Sequence, residues 1–135
     1  MIDYVTFYII TAVISIHYIA DFIFQPRKIA KEKSEYIDIL TIHILLYTLV
    51  FYILSLVFIF PMVFYGFDYH IKNYLTVLFV IYIFGTHWGT DYITSRLGVR
   101  FWKSGREKAF WNMVGFDQVI HLVSIFGFFA FVNYG

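Results

Sequence analysis

No cysteine occurs in the 135 residues, so disulfides and thiolate metal sites are excluded. Charge is scarce too, with Asp, Glu, Lys and Arg together making up 14% of the chain. A soluble domain of this size needs many more polar residues to cover its surface. The balance of charge is nearly even, at a formal +1, and argues against nucleic acid as a partner. Only two prolines are present. Pro26 opens the first connection and Pro61 closes the second apolar segment, both places where a missing backbone N–H is tolerated. Neither a basic stretch nor a small-residue cleavage site accompanies the first apolar run, which starts at Tyr4 behind a lone Asp3. That run is also too long for a signal-peptide core, so a retained helix is expected.

Apolar and aromatic residues take up the remainder, at 61% and 24%, with a mean hydropathy of +0.73. Lipid is the solvent in which such a composition makes sense. A hydrocarbon core of ~30 Å is crossed by ~20 apolar residues in a helix. Four segments meet that length, at about 4–24, 37–60, 74–97 and 110–132. Short connections favour an all-α, integral membrane four-helix antiparallel bundle forming a single domain over residues 1–135. Of the ten Lys and Arg, only Lys72 falls on the side of the second connection; Arg27, Lys28, Lys31, Lys33, Arg96, Arg100, Lys103, Arg106 and Lys108 share the other. The positive-inside rule then puts the two basic loops in the cytoplasm and both termini outside a bacterial inner membrane. Residues 26–36 mix basic and apolar side chains and suit a short interfacial helix. Trp102 and Trp111 stand where interfacial anchors belong.

Ionisable groups inside lipid are costly and each calls for a reason. The spans contain His17 and Asp21, His43, His87 and Asp91, and Asp117 and His121. Side chains four apart share a helix face, so each His/Asp pair is expected to act as a local clamp. Spans one and three read His-x-x-x-Asp, whereas span four, running the other way, reads Asp-x-x-x-His. In an antiparallel bundle this reversal brings the aspartates to one depth, roughly 5–10 Å inside the cytoplasmic boundary. The histidines follow one turn deeper, and His43 reaches a similar layer. An interhelical polar network without metal would account for single histidines. Three carboxylates in one layer, however, repel unless protonated or paired. Imidazole with carboxylate suits zinc first, or manganese or iron. Charge permits one divalent ion or two, the second case leaving room for a hydroxide.

The remaining candidates carry weaker signals. His70 sits beside Asp68 and Lys72 in the outer connection and is expected to be solvated. Tyr47, Gln25 and Gln118 are placed to support the cluster from behind. Gly85 and Gly89 form a G-x-x-x-G opposite His87 and Asp91, a spacing for close helix packing in the bundle or in a homo-oligomer. Arg27, Lys28 and Arg96 border the cluster and are expected either to hold a lipid phosphate or simply to set topology.

Four separated motifs carry a resemblance through nearly the whole chain. His17-Tyr-Ile-Ala-Asp21-Phe-Ile-Phe-Gln25, followed by Ala30-Lys-Glu-Lys33-Ser, resembles the opening of a small family of phage and bacterial membrane proteins of unknown function. The isolated His43, His87-Trp-Gly-Thr-Asp91 and Asp117-Gln-Val-Ile-His121 match its later helices. The chain is more distantly similar to the YdjM-like membrane proteins, and that resemblance implies a metal-dependent hydrolase. From the residues, the leading expectation is a metal-dependent hydrolase of a membrane lipid or lipid-linked phosphoester. Its ligands come from His17, Asp21, His43, His87, Asp91, Asp117 and His121, with Asp21, Asp91 and Asp117 also as catalytic candidates. The alternative is a non-enzymatic membrane factor in which the same cluster is structural.

Overall fold

The computed structural model describes residues 4–134, and Asp3 lies outside them. The described residues are helical and contain no strand. Helix α1 (Tyr4–Tyr18) runs into a π-turn (Ile19–Ile23), and a short α2 (Arg27–Glu32) follows. Next come α3 (Ile37–Phe58), a one-turn α4 (Phe60–Val63), α5 (Tyr69–Lys103) and α6 (Glu107–Tyr134). Pro26 stands immediately before α2, where its fixed φ suits a helix start, and Pro61 sits in the first turn of α4. Gly66 and Gly105 adopt positive φ, at 86° and 71°, and make the turns before and after α5. Asp68 caps α5 by accepting a hydrogen bond from the His70 backbone N–H at 2.9 Å. His70 itself is exposed, as expected of a solvated residue.

Helix α5 packs on α6 and α3, while α1 and its π-turn pack on α3, α1 also touching α6. The interior divides into two halves. One half is apolar, where Phe51, Phe60, Phe64, Phe79, Phe128 and Phe129 meet around Ile59 and Ile125. The other holds nearly every buried polar side chain, including His17, Asp21, His43, His87, Asp91 and His121. Outside, the polarity is reversed relative to a water-soluble protein, with Phe7, Leu49, Val57, Ile81, Val123 and Phe131 all exposed. Hydroxyls of Thr11, Thr41, Thr86, Thr90 and Ser95 each donate to the carbonyl four residues earlier, a habit that satisfies them without water.

Among the described residues, three helical segments are long and apolar enough to cross a membrane: Tyr4–Ile23, Ile37–Phe58 and Glu107–Asn133. Only 22% to 39% of the residues in their apolar windows are buried, so these residues are not there to fill a core. The sequence pointed to a fourth such segment at 74–97. That stretch lies within α5, the longest helix at 35 residues, but α5 is not among the three. The polar side chains from Thr86 through Arg96 dilute its apolar character. The expected close packing of Gly85 and Gly89 does not occur inside the chain, since a Cβ at either position would meet nothing within 4 Å.

Candidate metal centre

The π-turn decides where Asp21 points. Its extra residue per turn is closed by the Phe24 N–H donating to the Ile19 carbonyl at 3.0 Å. An α-helical His17/Asp21 clamp was expected. Instead, the widened turn carries Asp21 to His43 and His87, with Asp21 Oδ1 3.2 Å from His43 Nε2 and 3.7 Å from His87 Nε2. The other two clamps form as the spacing requires. His87 Nε2 lies 3.6 Å from Asp91 Oδ1, and His121 Nε2 lies 3.4 Å from Asp117 Oδ2.

Side chains from four helical segments converge on Asp91, which is almost wholly buried. His121 Nε2 approaches its Oδ1 at 3.1 Å, and His43 Nε2 approaches its Oδ2 at 3.3 Å. The rings of His87 and His121 stack 3.8 Å apart and nearly parallel, and the Tyr47 ring also lies 3.8 Å from that of His87, tilted to it. His17 stands one step back. Gln118 donates through Nε2 to Asp21 Oδ2 at 3.0 Å and to Asp117 Oδ2 at 3.1 Å. Its Oε1 therefore faces His17 Nε2, which must donate across the 2.9 Å between them. His17 Nδ1 is then the acceptor for the Tyr47 hydroxyl at 2.9 Å. Both nitrogens of His17 are engaged, so it orients Gln118 and, through it, two aspartates. Thr94 completes the surroundings of Asp117 by donating to Oδ1.

Lys33 is the residue that sequence reasoning left in the basic loop. It ends α2, and its ammonium reaches inward to donate to Asp91 Oδ2 at 2.7 Å and to His43 Nε2 at 3.2 Å. Burial works against the charged form. Asp91 and Asp21 outweigh it and raise the lysine pKa above its ordinary value, so the group stays an ammonium. The only sequence signal for this was its place in the Ala30–Ser34 part of the opening motif. By contrast, Arg27 and Lys28 are exposed, and Arg96 folds back on its own helix. It donates to the Tyr92 carbonyl at 2.9 Å, and its guanidinium sits 4.0 Å above the Tyr92 ring. None of the three lines the cavity that opens onto the cluster.

That cavity measures about 210 Å³ and lies against the π-turn, α2, α5 and α6. Asp21, Asp91 and Asp117 line it, whereas His17, His43, His87 and His121 do not. Three aspartates and one lysine leave a formal charge of −2 at its floor when the imidazoles are neutral.

Among the described residues, three overlapping donor groups could hold a cation: Asp21 with His87 and His121; His43 with His87 and Asp91; and Asp91 with Asp117 and His121. His17 belongs to none of them. The first group contains two buried atoms with no hydrogen-bond partner, Asp21 Oδ1 and His87 Nε2. Buried polar atoms left this way are costly. Ligand atoms around a tetrahedral ion with bonds of ~2.0–2.2 Å are roughly 3.3–3.6 Å apart. The separations of 3.1–3.7 Å between these nitrogens and oxygens are of that size. By chemistry and charge the donor set could hold a divalent cation, the ligand atoms of each group lying within 4.8 Å of one another.

Neither a curated protein nor a solved structure matches the chain. A family model, described as a protein of unknown function, matches residues 9–134 and so takes in every member of the cluster. The chain belongs to this family of unknown function, DUF3307.

Proposed function

We propose that this chain crosses a bacterial inner membrane four times as an antiparallel bundle, holds a divalent cation in the Asp/His cluster, and hydrolyses a lipid-linked phosphoester at the cytoplasmic face. The observation that carries the reading is the pair of unpartnered buried ligand atoms, Asp21 Oδ1 and His87 Nε2, facing each other at 3.7 Å. A divalent ion supplies a water acidic enough to ionise near neutral pH and neutralises charge on a phosphoryl oxygen. Zinc suits the donors best; manganese and iron fit as well. The formal −2 favours one ion while Lys33 is inserted, and a second requires Lys33 to withdraw.

The chain's own groups divide the remaining work. Asp21, Asp91, His43, His87 and His121 are the binding set. Asp117 lines the cavity, is less buried than its partners, and is held by Thr94 and Gln118 at the right place to accept a proton from the attacking water. Excluding bulk water is the task of the Phe-rich half below. Membrane placement rests on the apolar exterior and on the one-sided Lys and Arg. Helix α5, at ~52 Å, is long enough to cross and to project its basic end beyond the lipid. The open Gly85 and Gly89 face leaves a homo-oligomeric contact as the role for that motif.

Substituting Asp21, Asp91 and Asp117 singly by Ala, then measuring metal content and release of a phosphorylated headgroup from lipid, tests the proposal. Loss of both with retained helicity supports it; unchanged metal content and turnover would sink it. A second reading is favoured by Lys33, whose ammonium already answers Asp91. The cluster would then be a structural tie in a non-enzymatic membrane factor, and purified protein would carry no metal.

A further inference from the structure

Of the cavity's polar lining, most is already paired. Besides Asp21 Oδ1, assigned above to the metal centre, the exceptions come from one stretch of chain. Gln25 Nε2 and Ser34 Oγ are buried and have no hydrogen-bond partner. Lys33, between them in sequence, uses two of its three N–H donors on Asp91 and His43. All three residues line the same cavity, and each carries a donor group. The opposite wall is apolar, made by Val99, Phe110, Met113 and Val114. Buried donors without acceptors are destabilising unless a ligand completes them. A group with several acceptor oxygens and negative charge is the ligand that would do so.

We infer that Gln25, Lys33 and Ser34 form an oxyanion subsite that receives the phosphoryl group of a phosphate ester, with the ester's hydrocarbon part against the Val99–Phe110–Met113 wall. The inference rests on the proposed metal centre, because the three aspartates would repel an anion until a divalent ion neutralises them. It replaces Arg27, Lys28 and Arg96 as the phosphate-binding set, for those side chains do not reach the cavity. At about 210 Å³ the space is smaller than the roughly 300–1,000 Å³ of pockets that enclose whole drug-sized ligands. It holds a headgroup and the first carbons of a chain, and the remainder lies along the apolar exterior.

The test uses full-length protein in non-ionic detergent, loaded with zinc, and calorimetric titration with three probes: inorganic phosphate, dioctanoyl phosphatidic acid and dioctanoylglycerol. Zinc content is measured on every sample. The wild type should bind a phosphate-bearing probe and not dioctanoylglycerol. Preference for phosphatidic acid identifies a lipid headgroup as the source of the oxyanion, and equal affinity for inorganic phosphate identifies a free phosphate. Gln25→Leu combined with Ser34→Ala should weaken that binding about tenfold or more while zinc content stays at the wild-type level. Lys33→Met should weaken it likewise by removing the ammonium, with zinc content at or above the wild-type level. Equal phosphate affinity in wild type and both variants, with zinc retained in all, overturns the subsite alone. A wild type that takes up no zinc overturns the metal centre and the subsite with it.

Discussion

Asp91 is the side chain on which most of the cluster depends. It accepts from Lys33 and lies within 3.1–3.6 Å of His121, His43 and His87. Replacing it by Ala strands an ammonium and three imidazoles in a buried setting. Breaking a buried ion pair from one side typically costs about 3–5 kcal/mol. We therefore expect Asp91→Ala to lower the unfolding midpoint in detergent markedly, and Asp91→Asn, which keeps the shape, to lower it less. Gln118 acts differently, since it touches no candidate ion yet holds Asp21, Asp117 and His17 in one orientation. Removing such an orienting partner usually weakens metal binding about 10–100-fold. Gln118→Ala should show that loss in a zinc titration while keeping wild-type helicity by circular dichroism. At this scale the sequence was legible for the seven ionisable residues, because a charge in an apolar run is conspicuous. Lys33 was not, because in a basic loop nothing in the letters tells an inward lysine from one that sets topology. His17, expected as a direct ligand, belongs to none of the three donor groups found among the described residues. Its spacing from Asp21 is the same as in the other clamps, and only the hydrogen bonds to Tyr47 and Gln118 separate its role from theirs.

Among the elements, the π-turn at Ile19–Ile23 matters most. It holds one residue more than an α-turn, and that residue lets the segments on either side keep their faces while Asp21 swings toward α3 and α5. Deleting Ile19 should let the turn close as α-helix. The expected variant keeps its helical content and detergent stability within ~1 kcal/mol but takes up less metal, because Asp21 no longer reaches His43 and His87. Unaltered metal content would separate the π-turn from the site. Such turns leave no plain mark in composition, so an α-helical clamp was the natural expectation from His17 and Asp21. Pro26 and Pro61, by contrast, signposted the ends of their helices correctly. The extent of α5 was harder to see. Its first turn is set by the Asp68 cap and its last by Gly105, and both lie well outside the apolar stretch that drew attention to the helix.

For the whole molecule, the arrangement is inverted with respect to water-soluble proteins: apolar outside, with charge gathered in one half of the interior. Under the proposed membrane placement, Lys and Arg concentrated at one end of the sequence pattern would set its direction. The lack of native cysteine makes that direction directly measurable. Tyr65, 86% exposed in the turn before α5, and Lys108, exposed near the start of α6, are expected on opposite faces. Tyr65→Cys should react with a membrane-impermeant maleimide in intact cells, and Lys108→Cys only after the cells are opened. The reverse pattern would invert the topology and move the cavity to the outer face.

The account depends on a cation shared among side chains that distant parts of the chain deliver to one place. Elemental analysis of the detergent-purified wild type beside Asp21→Ala tests this most directly. About one divalent ion per chain in the wild type, sharply reduced in a variant of equal helicity, is the predicted result. A folded wild type free of divalent metal, even after incubation with zinc, would contradict the account and leave Lys33 as the cluster's own cation.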